Sequence, residues 1–181
     1  CSANLYNCIG RGRRCNGMAL RSVLVTDTNI WIDLENGGIL VEVFQLPYQF
    51  LIPDFAIPEL VRPRWESLKV LGLRAYELPA EQVVELLRLR QVHKNLSIID
   101  LAAFLLAKML DATLLTGDWR LNELASASGL SVHGVLWLLD GMLHFKALTS
   151  KQAATALRQM LESGARLPAD ECNNRITRWS K

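Results

Sequence analysis

Four carboxylates stand where this sequence could do chemistry: Asp27 in Val-Thr-Asp-Thr-Asn (25–29), Glu59 in Pro-Glu-Leu (58–60), Asp100 in Ile-Ile-Asp-Leu (98–101) and Asp118 in Thr-Gly-Asp (116–118). Acids that converge repel one another unless they share cations. A set of hard oxygen donors with no His or Cys among them suits Mg2+ or Mn2+. Ions held in that way activate water and stabilise the leaving oxygen of a phosphodiester. Each acid also has a plainer role: Asp27, Asp100 and Asp118 lie where helices begin and can cap them, and Glu59 can complement a helix dipole.

Asp100 is the sharpest of the four. Of residues 98–110 only Asp100 and Lys108 are charged, and a helix apolar all round is a buried one. Eight positions at a rise of ~1.5 Å put Lys108 ~12 Å away along the axis, too far to neutralise it. The expectation is a carboxylate that needs a partner from elsewhere, although Ser97-Ile-Ile-Asp100 also matches a capping box.

The elements that would position these acids alternate. Val23–Thr26 reads as a strand ending on Asp27, followed by a short helix over 29–35 that closes at Asn36-Gly37-Gly38. Residues 39–46 read as resumed helix up to Pro47, and 48–52 as a second strand before Pro53-Asp54. Pro58 suits a first helical position, which places Glu59 in a first turn. Further strands are expected over 74–78, 113–116 and 130–132, with helices over 80–94, 97–110 and 120–128. This predicts an α/β fold, a three-layer α/β/α domain with a mostly parallel sheet, whose strand ends open on one edge where ligands bind. From Val135 onward the pattern is helical: 135–143, then 150–162 opened by a Thr149/Gln152 capping box and closed by Gly164, then 169–177. The expected division is a core over 18–133 and a C-terminal helical annex over 134–181 packed on it.

Of the 181 residues 50% are hydrophobic and 21% charged, the balance of a globular chain, and no apolar run approaches the ~20 residues that span a bilayer. Net charge is +2, but Arg11, Arg13 and Arg14 are unopposed in residues 1–17, so the rest is close to neutral. A basic footprint for nucleic acid would therefore be local: Arg62, Arg64, Lys69 and Arg74, or Arg166, Arg175 and Arg178. Cys1, Cys8 and Cys15 match no zinc spacing, which supports neither a disulfide framework nor a thiolate metal site. Residues 1–17, lacking periodicity and an apolar leader segment, read as a disordered extension or a remnant of upstream sequence ahead of Met18, and a cytoplasmic location is expected. Phosphate-binding glycine loops, serine nucleophile elbows and His-Glu-x-x-His are missing, and His93, His133 and His144 are scattered.

The segments "VLVTDTNIWIDL" (23–34), "FLIPDFAIPELV" (50–61), "SIIDLAAFLLAK" (97–108) and "ATLLTGDWRLNELA" (112–125) together resemble the PIN-domain family of metal-dependent nucleases. The resemblance implies that Asp27, Glu59, Asp100 and Asp118 form its acidic quartet, with Asp27, Asp100 and Asp118 on Mg2+ or Mn2+. It implies that Asn29 and Thr116 support the site through hydrogen bonds. Many members are VapC-like ribonuclease toxins of toxin–antitoxin pairs, so it further implies an RNA substrate, a homodimer and an antitoxin partner. Two departures stand out: Asn122 occupies a place where relatives often carry a fifth acid, and residues 132–171 resemble a less characterised PIN-like group with a C-terminal extension. The expected activity is hydrolysis of RNA, with Arg62, Arg64 and Lys69 as nucleic-acid contacts. The alternative is a non-catalytic PIN fold serving as an interaction or RNA-binding module. A phosphatase with Asp27 as nucleophile is weaker, because Asn29 stands where a second Asp is needed.

Overall fold

The computed structural model describes residues 22–180; the expectation for residues 1–17 lies outside them. Five parallel strands form one sheet in the order β3-β2-β1-β4-β5: β1 (Ser22–Thr26), β2 (Tyr48–Pro53), β3 (Arg74–Tyr76), β4 (Thr113–Leu115) and β5 (Val132–His133). The chain winds outward from β1 to β3, then returns to lay β4 on the other side of β1. The strand order thus reverses between β1 and β4, the place where open parallel sheets form a crevice.

Among the described residues eight α-helices cover the two faces: α1 (Thr28–Asn36), α2 (Trp65–Leu71), α3 (Ala80–Val92), α4 (Ile98–Leu110), α5 (Trp119–Ala127), α6 (Val135–His144), α7 (Ser150–Glu162) and α8 (Ala169–Trp179). Side chains alternate across a strand, so neighbours on β1 and β2 serve opposite cores. Leu24, Phe50 and Ile52 join Trp31, Leu34, Leu138, Leu157 and Trp179 on one face. Val25 and Leu51 join Leu86, Leu101, Leu105 and Leu121 on the other. Both faces of β1 and β2 being buried explains why these strands read as nearly unbroken apolar runs.

Helices α6 and α7 pack against α1, and α8 packs on α7. At the α1–α7 contact Gly37 leaves so little room that a Cβ there would stand 2.6 Å from Met160 Cε and 3.3 Å from the Ala156 carbonyl oxygen. Helix α8 is tied to α6 by ions: Arg175 Nη2 and Nε donate to Asp140 Oδ2 at 2.8 and 3.0 Å, and Arg178 Nη2 donates to Oδ1 at 2.9 Å.

Several local expectations are corrected. Residues 39–46 do not resume as α-helix; only Glu42–Gln45 curl, as a 3-10 turn, because Pro47 leaves too short a run for α geometry. Pro58 lies inside a second 3-10 turn, Asp54–Glu59, so Glu59 ends a turn and opens no helix. The helix of this segment is α2, which begins at Trp65 and not at Pro58; Arg64 supplies no side-chain cap, so nothing local announces its start. The last strand is Val132–His133, shifted from 130–132.

Candidate functional site

Asp27 is the first residue beyond β1, and its N–H donates to the Leu115 carbonyl of β4 at 2.9 Å. This backbone bond fixes it at the crevice between the two strands. Asp27 is 2% exposed. It caps α1 through Oδ1, which accepts from Asn29 N at 3.1 Å, while Oδ2 accepts from Thr116 Oγ1 at 3.0 Å and Asn29 Nδ2 at 3.3 Å. The Thr28 hydroxyl lies 3.3 Å from Asp27 Oδ1 and 3.2 Å from Glu59 Oε2. One hydroxyl proton serves one acceptor at a time, so Thr28 links these two acids without satisfying both.

Burial is the main force pushing the Asp27 carboxyl above its ordinary range; the Asn29 N–H opposes it and the charge of Asp100 adds to it. Asp33, five positions along α1 from Thr28, is likewise pushed up, to about 6, first by burial and then by the charge of Asp27. The charge of Asp100 thus acts on Asp27, and that of Asp27 on Asp33.

Asp100 departs from the expectation of a stranded acid. It is half-buried in the first turn of α4 and completes a capping box, its Oδ2 accepting from Ser97 N at 2.8 Å while Ser97 Oγ accepts from Asp100 N at 3.0 Å. The fully buried stretch, 101–107, begins only at Leu101. Asp118 caps α5: Oδ1 accepts from Arg120 N at 2.7 Å and Leu121 N at 3.1 Å. Thr116 joins Asp118 to Asp27, since its hydroxyl accepts from Asp118 N at 3.0 Å and donates to Asp27. Asn122 is exposed one turn up α5, its Oδ1 accepting from Ser126 Oγ at 3.1 Å.

These positions allow a test of whether a divalent cation fits. Among the described residues no group of three or more His, Cys, Asp or Glu lies close enough to enclose a metal. Mg2+ does not need such a cage, since one or two carboxylates with waters and substrate phosphate usually suffice. Asp27 and Asp100, whose charge acts on Asp27, are the carboxylates that such a smaller set would draw on. The donors fit a hard cation completed by water and phosphate, and they do not fit an all-protein metal site.

Two clefts open beside this crevice. One runs between Asn29, Asp33 and Asn36 of α1, Gly117-Asp118 and the link 163–167 between α7 and α8. The other, of about 430 Å³, is lined by Asp33, Asp118, Trp119, His133, Trp137 and Arg166, among others. Asp118 opens on both, whereas Asp27, Glu59 and Asp100 line neither. Arg62, Arg64 and Lys69 are exposed on the turn before α2 and on α2 itself, and line neither cleft. Of the second basic group, Arg175 and Arg178 are taken up by Asp140 and Glu171; Arg166 lines both clefts, and Arg175 lines the second.

Sequence reasoning missed Asp33. A signal existed: Asn29, Asp33 and Asn36 stand at i, i+4 and i+7, a polar stripe on a helix whose other face buries Ile30, Trp31 and Leu34.

No helix among the described residues is long and apolar enough to cross a membrane. No curated protein matches the chain. A PilT N-terminus domain protein from the hyperthermophilic archaeon Sulfolobus solfataricus P2 is similar in structure at a TM-score of 0.49 and 18% identity, over 67% of this chain and 93% of that one. The family model DUF3368, described as a PIN domain, matches residues 23–181, through the last helix. The chain belongs to the PIN-domain family.

Proposed function

We propose that this protein is a metal-dependent nuclease that hydrolyses phosphodiester bonds of RNA. The observation that carries this reading is Asp27: a carboxylate buried at the strand-order reversal, held by Thr116 and Asn29, with Asp100 and Asp33 adding negative charge around it. A purely structural acid gains nothing from such neighbours. Mg2+ or Mn2+, when bound, supplies the lowered water pKa and the charge stabilisation that phosphodiester hydrolysis needs. Asp27 and Asp100 are the residues to hold it, with Asp118 at the mouth of the clefts. Thr116 and Asn29 fix the Asp27 carboxylate in orientation, and Glu59 shares the Thr28 proton with it.

The test is cleavage of a fluorescent single-stranded RNA by purified protein with Mn2+, alongside calorimetry of Mn2+ binding. Cleavage that disappears in Asp27→Asn together with Mn2+ affinity supports the reading. Wild-type protein that cuts nothing, with Mn2+ affinity unchanged by Asp27→Asn, overturns it. As the toxin of a toxin–antitoxin pair, a role that brings a homodimer and a covering antitoxin, it would arrest growth on expression, and Asp27→Asn would relieve the arrest.

One observation favours a second reading, the non-catalytic module: among the described residues no three acids form a group, and Asp100 and Asp118 each cap a helix. Such a module would bind RNA and show no heat of Mn2+ binding.

A further inference from the structure

Trp119 is the first residue of α5, directly after Asp118, and its indole is 67% exposed. An indole left in water at a cleft mouth forgoes a large burial gain, which a stacked ligand would recover. Trp119 borders the cleft shared with Arg166, and also a further cleft lined by Lys94 and Arg120. The Arg120 guanidinium stands over the ring at 5.4 Å from its centroid, and the residue as a whole remains mostly in solvent. Deeper in the first of these clefts, His133 and Trp137 stack in parallel at 4.5 Å. Burial holds the His133 imidazole below its ordinary pKa, so this wall is flat and uncharged.

Charge narrows the occupant. The cleft carries Asp33 and Asp118, so a phosphate enters only where a cation offsets them. Of its two lining arginines, Arg175 is committed to Asp140 and Glu171, while Arg166 makes no ion pair or side-chain hydrogen bond among the described residues. A volume of about 430 Å³ lies within the range of small-ligand sites. Flat aromatic faces with an uncommitted arginine are what an unstacked nucleotide requires.

We infer that the cleft between α5 and the α7–α8 link is a subsite for single-stranded nucleic acid, with a base stacked on Trp119 and its backbone phosphate held by Arg166. The subsite deepens the nuclease reading and rests on it for the position of the cut, but its binding is measurable without cleavage. Arg166 comes from the annex and Trp119 from the α/β core, so the subsite exists only where the two meet. A strand lying across the indole runs from Arg166 toward Arg120 and Lys94.

The experiment is fluorescence anisotropy of a labelled ten-nucleotide oligouridylate with the full chain in EDTA, where no metal-dependent cleavage occurs. Trp119→Ala should weaken binding by about tenfold and Trp119→Phe should restore most of it, as expected of base stacking. Arg166→Ala should weaken binding and lower the slope of log affinity against log salt by about 0.7, one phosphate contact on a single strand. The same DNA sequence bound with equal affinity supports recognition through base and phosphate alone. Full affinity in both alanine variants overturns the inference, as does a Trp119→Ala variant that loses only a concentration-dependent dimer. Protein that binds through Trp119 but never cuts keeps the subsite and removes the nuclease. Protein that cuts and ignores both substitutions does the reverse. Both side chains are exposed, so circular dichroism should show unaltered folding.

Discussion

Thr116 and Asp27, 89 positions apart, are joined by a 3.0 Å hydrogen bond from the Thr116 hydroxyl to Asp27 Oδ2. Both side chains are buried, and the same hydroxyl receives the Asp118 N–H. Replacing it by an isosteric methyl removes a donor from one acid and an acceptor from the backbone of another. Thr116→Val should therefore cost about 1–3 kcal/mol in urea unfolding, the range for leaving a buried polar group unsatisfied. Thr116→Ser, which keeps the hydroxyl, should recover most of that loss. The same ordering should hold for Mn2+ affinity measured by calorimetry, because Thr116 fixes the orientation of the carboxylate; an unchanged affinity in Thr116→Val would remove its supporting role.

The acids of the crevice should give the protein an unusual dependence on pH. Asp27 and Asp33 both have folded-state pKa values above the unfolded ones, Asp33 reaching about 6. Between pH 4 and 6 these two carboxyls then bind more protons in the folded chain than in the unfolded one. Stability from these groups is complete below about pH 4 and is lost as pH rises through about 6. In metal-free buffer the melting temperature should fall across this window, against the trend set by ordinary carboxylates. Asp33→Asn should flatten the fall, with a difference on the order of 1 kcal/mol after screening by nearby solvent. Adding Mn2+ at pH 7 should raise the melting temperature of the wild type and not of Asp27→Asn.

The docking of the annex on α1 can be probed at Gly37. Its backbone is ordinary, at φ −77°, so any cost of a side chain there is steric. Gly37→Ala should destabilise by about 1–3 kcal/mol, as overpacking does, because Met160 Cε can swing away but the Ala156 carbonyl cannot. Gly37→Val should cost more. Chemical denaturation reads both, and a neutral Gly37→Ala would mean that α7 does not sit on α1 in this way.

What the sequence disclosed about this site follows from how far apart the interacting parts lie. The end of β1 at Asp27 was legible because a β-prone run stops there on an acid, and α7 was legible to the residue because Thr149, Gln152 and Gly164 mark its ends. The start of α2 was not: the helix is short and uncapped, and it exists because Leu68 packs into the core. The burial of Asp100 was misjudged because periodicity shows that a helix is apolar but not which turn reaches the edge. Asp33 and Arg166 carried only weak local signals, since their meeting at one cleft depends on a chain that returns to α1 more than a hundred residues later.

The link that brings Arg166 to the cleft is held from its C-terminal side by Asp140, which receives Arg175 from the less exposed side and Arg178 from the more exposed one. Arg175 is 21% exposed in its side chain and Arg178 64%, so the two pairs should differ in weight. Exposed pairs are screened and contribute little, whereas a half-buried arginine stripped of its acceptor keeps its desolvation cost. Arg178→Ala should thus change stability by less than about 0.5 kcal/mol, and Asp140→Ala should cost about 1–3 kcal/mol. A double-mutant cycle between Asp140 and Arg175 should show coupling that the Asp140 and Arg178 cycle lacks. Freed from Asp140, α8 no longer fixes residues 163–168 against α1, so Asp140→Ala should also weaken oligouridylate binding without touching the cleft itself. Wild-type affinity in a destabilised Asp140→Ala would show that the link is positioned by α7 alone.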